Sequence, residues 1–440
     1  MRGRTRCLSM AGALCASVHA LALAAAPLSA QTTEPVVYEV EGVRVVQSVQ
    51  PERELVAARL YLLGGAQRLT PETAGAERLI LRASARGTES FPGNSIRDAQ
   101  VETGSRFTTS TGPDWSMIGF NGLAEEFDAS WKILAERVAR PTLDTAGVEL
   151  VRAQVLTGIR SDTESPDAAV RELAGRLAFA GHPYAVEVDG TEAAVSNLTI
   201  DDLRRFHDEE FVRSRMLLSV VGPIDRATVE AAVRAELADL PLGSYTWQLP
   251  EPWIKDAPNV VNEYRDLPTN YIMGYYGGPR MSDEDYPAFQ VAVVALSGLI
   301  SGRIRARGYS YAAGAPLIER AASGGGIYVS TVRPDETMLV INNTISDIKR
   351  GGLRRADLQE YAENSTLEYY LSNQSSYQQA DFLATSLLLR GSPQSVSDWV
   401  ETLRGVEGFE VRGAADRYIT NIQYGFLGSG VVPTDRMTRN

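Results

Sequence analysis

LDTAGVELVRAQVL, residues 143–156, and LRRADLQEYAENST, residues 353–366, stand 210 residues apart and begin alike. Leu143 falls in register with Leu353 and Val148 with Leu358, and each segment opens a stretch with helical spacing of apolar residues, 144–180 in one case and 355–390 in the other. A second pairing sets Asp202, Leu203 and Phe206 against the region from Ala414 to Tyr418. An offset near half the chain length points to tandem copies of one unit.

What precedes and follows each segment supports a mixed unit. In the first half VVYEVEGVRVVQSV (36–49) and ELVAARLYLLGG (54–65) alternate like strands, AERLILRASARG (76–87) and AEEFDASWKILAERVARP (124–141) read as helices, and RFTTSTGPDWSMIGFNG (106–122) is strand-like between them. MLLSVVGPID (216–225) closes the half as a buried strand and turn. The Pro- and Trp-rich LPLGSYTWQLPEPWIKDAP then lacks periodicity and reads as a connection. In the second half NVVNEYRDLPTNYIMGYYGGP (259–279) gives strands and DYPAFQVAVVALSGLIS (285–301) a helix. GGGIYVSTVRPDETMLVINNTISDI (324–348) is expected to give strands again. The fold class expected is α+β, with two homologous α/β sandwich domains at 31–243 and 259–430 joined by a linker at 244–258.

At 440 residues, 44% hydrophobic and 22% charged, the composition is that of an ordinary globular chain long enough for two domains. Residues 1–30 carry three arginines, an apolar run and a small-residue end, which predicts a cleavable secretory signal; an uncleaved anchor is the alternative. Both cysteines, Cys7 and Cys15, lie in that segment, so the remaining chain has neither disulfide nor thiolate nucleophile. Nothing after residue 31 reads as long and apolar enough to span a bilayer. Removing the three signal arginines takes the net charge from −12 to −15, and an acidic chain without a basic stripe argues against a nucleic-acid partner. The expected location is the periplasm.

Three further stretches carry a resemblance. LARPTLDTAGVELVRAQVLTGI, the run from FAGHPYAVEVDG through LTIDDLRRFHDEEF to LLSVVGPID, and DYPAFQVAVVALSGLISGRIRARGYSYAAGA together resemble the M16 family of zinc peptidases (pitrilysin, insulinase and mitochondrial processing peptidase) over nearly the whole chain after residue 31. The resemblance implies two homologous α+β sandwiches of the kind also called LuxS/metallohydrolase-like, in agreement with the repeat read above.

That family binds zinc through His-x-x-Glu-His on a helix, ending six residues before Gly-Thr, and through a glutamate some 76 residues on. Here Gly87-Thr88 place the motif at Arg78, Leu81 and Arg82, and the further glutamate at Gly158. A guanidinium has no lone pair to give a metal, and two would repel it. No cofactor is expected on this chain. Arg78 and Arg82 read as a solvated or ion-paired helix face, or as a contact for an anion or a peptide C-terminus. His182, in a His-Pro-Tyr turn, and His207, on a helix after Thr199, read as structural; Glu125-Glu126 and Glu209-Glu210 as polar helix faces; and Gly324-Gly325-Gly326 as a turn before a strand and no phosphate loop.

The resemblance also implies an Arg and a Tyr that reach substrate across a closed chamber, at Arg305 and Tyr311 in RARGYSY, with Arg303 the alternative arginine. SRFTTST (105–111) lacks the Asn-Ala step of the family's substrate-edge strand. Taken together these imply a non-catalytic subunit of a periplasmic heterodimeric zinc metallopeptidase. Its partner would be a zinc-binding M16 homologue, with zinc in that partner, and its substrate a peptide or unfolded polypeptide. A structural or scaffolding protein and a non-cleaving peptide binder are the alternatives.

Overall fold

A computed structural model describes residues 34–310, 312–351, 353, 355–394 and 396–439. The expected signal segment lies outside the described residues. The first half consists of β1 (Val36–Val40), β2 (Val43–Val49), β3 (Leu55–Leu63), α1 (Ala76–Ala83), α2 (Ser95–Glu102), β4 (Arg106–Ser110), β5 (Trp115–Leu123), α3 (Phe127–Ala139), α4 (Thr145–Glu164), α5 (Pro166–Ala178), α6 (Glu192–Asn197), α7 (Ile200–Glu210), β6 (Met216–Gly222) and α8 (Arg226–Leu237). The second half consists of β7 (Asn259–Tyr264), β8 (Asn270–Gly277), α9 (Tyr286–Ala306), β9 (Ala313–Gly314), β10 (Leu317–Ile318), β11 (Gly324–Thr331), α10 (Pro334–Lys349), α11 (Arg355–Leu371), α12 (Ser376–Arg390), α13 (Val396–Arg404), α14 (Gly408–Tyr418), β12 (Gln423–Gly428) and α15 (Thr434–Met437).

The strands make two sheets, ordered β1-β2-β6-β3-β5-β4 and β7-β12-β8-β11-β10, with β9 also paired to β11. Without β1 the two are the same sheet. In each, an early strand runs parallel to the last one, Val49 opposite Gly222 and Tyr264 opposite Gly428. In each, that last strand lies antiparallel to the strand that precedes the first α-helix of its half. The 210-residue offset is visible in the helix caps as well. Ser165 accepts from Ala168 N at the start of α5, and Ser375 from Gln378 N at the start of α12. Such caps contribute about 1 kcal/mol each and mark where each long helical stretch breaks in two.

The strands of the first sheet read as nearly continuous apolar runs because both faces are covered. Val45, Ala58, Leu60 and Leu62 face the helices of their own half, whereas Val46, Ala57, Tyr61 and Leu63 share a core with residues of the second half. The cover on that second face is exchanged. Helix α12 packs on β6 and β3 of the first sheet, and α5 packs on β12 and β8 of the second. At equivalent strand positions the contact is intimate. Ser219 Oγ donates to Ala380 O at 2.7 Å, and a Cβ on Gly425 would stand 2.8 Å from Ala174 N and 3.0 Å from Val170 O. Glycine is required at 425 because the backbone of α5 occupies that space.

Three expectations are corrected. The run 324–348 is a strand only to Thr331; Pro334 then fixes the first turn of α10, and Met338, Ile341, Ile345 and Ile348 recur at helical spacing on its buried face. Gly324-Gly325-Gly326 lies within β11, beneath Trp253, and makes no turn. Helix α9 is, by length and composition, long and apolar enough to cross a membrane, contrary to expectation. It is instead a core helix: Phe289, Val293, Leu296, Ile300 and Ile304 are buried among residues of the second half. The connection at 244–258 is pinned at two points, where Trp247 Nε1 donates to Leu388 O and Trp253 Nε1 to Ala322 O.

Candidate functional site

Helix α1 begins after Gly75, which takes a left-handed conformation, and buries Leu79, Ile80, Leu81 and Ala83. Helix α4, which carries Gly158, packs against it. The positions that the resemblance assigns to a metal site carry other side chains. Arg78 donates to Asp189 O at 3.2 Å and stands 3.6 Å from the Asp189 carboxylate. Leu81 is buried in the core and Arg82 is exposed. A Cβ on Gly158 would meet nothing within 4 Å. Two guanidiniums, an aliphatic chain and a bare backbone do not fit a zinc ion, and among the described residues no group of three or more His, Cys, Asp or Glu is placed to hold one.

A further cation lies behind this helix. Arg137 of α3 is buried; its Nη2 donates to Leu81 O at 3.1 Å and its Nε to Ser84 Oγ at 3.2 Å. It faces the carbonyl end of α1, where a positive charge is favourable, and burial pulls its pKa down to about 10. Sequence reading gave no sign of it, because Arg137 sits inside the apolar spacing of α3. Nor did it find the buried ion cluster beside α1. Arg215, 1% exposed, donates Nη2 to Glu77 Oε1 at 2.8 Å, Nη1 to Glu210 Oε2 at 2.9 Å and Nε to Leu63 O at 2.7 Å. Glu77 also accepts from Ser116 Oγ. Glu210, expected on a polar helix face, is therefore part of a clamp joining α1, α7 and β3.

Both histidines have explicit partners. His182 Nδ1 accepts from Tyr184 N at 3.2 Å, which leaves Nε2 to donate to Glu251 O at 2.9 Å. His207 Nε2 donates to Val138 O at 2.8 Å. Burial lowers the pKa of each, so both are held neutral. The His-Pro-Tyr turn also delivers Tyr184, whose hydroxyl donates to Asp114 Oδ1 at 2.5 Å and accepts from Ala322 N at 3.0 Å; Ala321 N donates to Asp114 Oδ2 at 3.0 Å. This turn therefore ties the first half to the loop before β11.

In the second half Arg305 is exposed near the C-terminal end of α9. Arg303, the alternative, is bound within the fold: its Nη1 donates to Asp347 Oδ2 at 2.7 Å and to Thr344 Oγ1 at 3.1 Å. Tyr311 lies outside the described residues. The expected substrate edge is β4, one of the two edge strands of the first sheet, where Thr108 Oγ1 and Tyr377 OH are 2.9 Å apart.

Comparison with known proteins agrees with this geometry. Residues 197–365 match the model of the "Peptidase M16 inactive domain". The chain is 23% identical over 327 residues to an uncharacterized zinc protease of Mycobacterium leprae, covering 72% of this chain and 74% of the relative. It is 22% identical over 395 residues to an uncharacterized zinc protease of Mycobacterium tuberculosis, covering 87% and 90%. The crystal structure of a peptidase M16 inactive domain from Pseudomonas fluorescens superposes with a TM-score of 0.81 at 17% identity, covering 91% of this chain and 99% of that one. With relatives along most of its length, a matching two-sheet fold and a family-model match over residues 197–365, this chain is similar to the M16 peptidases and, over that stretch, to their inactive domain.

Proposed function

We propose that this chain is the non-catalytic subunit of a periplasmic heterodimeric M16 zinc metallopeptidase. The observation that supports the reading is that Arg78, Leu81, Arg82 and Gly158, on the packed helices α1 and α4, occupy the positions that the family resemblance gives to ligands and base. The fold is kept and the metal chemistry is not, as expected of a half that completes a chamber around another chain's zinc. In this reading the partner is a zinc-bearing homologue and the substrate a peptide or unfolded polypeptide. Arg305, exposed on α9, and Tyr311 would donate hydrogen bonds to the bound peptide from the wall opposite the partner's metal.

Co-expression with a homologue that carries His-x-x-Glu-His, followed by size-exclusion chromatography and peptide turnover, tests the reading. A 1:1 complex that cleaves peptides is expected, with Arg305→Ala and Tyr311→Phe each lowering turnover per assembled complex by roughly a hundred- to a thousand-fold. Elution of the chain apart from its partner, or unchanged turnover in both variants, would refute it.

A further inference from the structure

In the second half α9 and α11 occupy the places that α1 and α4 hold in the first, and between them lies a cleft of about 600 Å³ bordered by β10. We propose that this cleft binds an organic cation, an ammonium or guanidinium carried by a polypeptide. Among the described residues no Lys, Arg or His lines it, while Glu319 and Glu368 do; Arg305, two turns beyond Gly298 on the same helix, is outside the lining. Glu319 is held in place, its Oε1 accepting from Tyr369 OH at 3.0 Å and Tyr286 OH at 3.3 Å.

The second observation is Gln290, 4% exposed and facing the cleft. Its Nε2 donates to Tyr369 OH at 3.1 Å. Because that hydroxyl gives its proton to Glu319, it can only accept from Gln290, which fixes the orientation of the amide. Gln290 Oε1 is then left buried without a hydrogen-bond partner among the described residues. A buried carbonyl with nothing to accept is unfavourable and calls for a donor. The site thus offers an acceptor in its wall, a positioned carboxylate, and the rings of Tyr361 and Tyr369, against which a cation is favourable. Leu317 supplies apolar surface for the stem of a lysine or arginine side chain.

Only the choice of a polypeptide as carrier rests on the reading of a peptide chamber. The test needs no partner, so its failure and the failure of the subunit reading are separable. Calorimetric titration of the chain from residue 31 with Nα-acetylarginine amide should show binding about tenfold or more tighter than with the neutral isostere Nα-acetylcitrulline amide. Glu319→Gln, a change at an exposed side chain, should remove that preference, and Gln290→Leu should weaken binding with the thermal midpoint as its folding control. A pentapeptide with one internal arginine should bind more tightly than agmatine. Tighter binding of agmatine would overturn the polypeptide assignment. Equal binding of the citrulline analogue, a wild-type preference in Glu319→Gln, or no binding of either arginine probe at millimolar concentration would overturn the cation site.

Discussion

Tyr184→Phe removes one oxygen and leaves two groups at the junction of the halves unmatched. Asp114, 4% exposed, loses the donor to Oδ1 and keeps only the Ala321 N–H, and Ala322 N loses its acceptor. Leaving a buried polar group unsatisfied costs about 1–3 kcal/mol, so with two such groups the variant should be destabilised by about 2–6 kcal/mol at neutral pH. The loss should also depend on pH in a known direction. Burial raises the pKa of Asp114 against the lowering effect of the Tyr184 and Ala321 hydrogen bonds. Without the Tyr184 hydroxyl it rises further, so the folded variant takes up a proton at a higher pH than the folded wild type. The unfolded chains are alike; the gap in stability must therefore narrow as pH falls from neutrality toward the raised wild-type pKa, above the ordinary 3.8. Urea unfolding of both proteins at a series of pH values measures this. A loss under about 1 kcal/mol at neutral pH, or one that stays constant as pH falls, would refute the role given to this contact.

Three other outcomes are expected. Gly425→Ala puts a Cβ into the backbone of α5 and should cost about 1–3 kcal/mol in urea unfolding, whereas an unchanged midpoint would contradict the exchanged-helix packing. Both His182 and His207 have lowered pKa values, so the stability they supply is complete above about 6.5 and lost as pH falls through their folded values; His207→Gln should flatten that acid-side decline, and an unaltered pH profile would speak against a buried neutral His207. Restoring Arg78→His, Leu81→Glu, Arg82→His and Gly158→Glu together should produce zinc binding, because a side chain at 158 meets open space. Metal analysis showing none after refolding with zinc would mean that the scaffold itself has closed.

The repeat was legible because its signals are local: Leu143 and Leu353, Val148 and Leu358, and the matched starts of two long helices survive in one dimension. The expected strand over 324–348 failed at Pro334, where the apolar residues change from a period of two to one of three and four. The exchange of α5 and α12 left no trace in sequence, since a helix buried on another half's sheet has the same periodicity as one buried on its own. At the candidate site, positions 78, 81, 82 and 158 came from the family resemblance, and side-chain chemistry says only that Arg, Leu, Arg and Gly there cannot ligate a metal. Arg137, Arg215 with Glu77, and the open amide of Gln290 were not legible, because burial of a polar group is fixed by residues distant in the chain.

The central claim is that this chain contributes a wall and its partner the metal. Native mass spectrometry with metal analysis, on material purified through a tag on this chain after co-expression with a His-x-x-Glu-His homologue, tests it most directly. The account predicts a 1:1 complex with one zinc, all of it remaining with the partner when the subunits are separated. A stoichiometric zinc on this chain alone, or its recovery only without the partner, would contradict it.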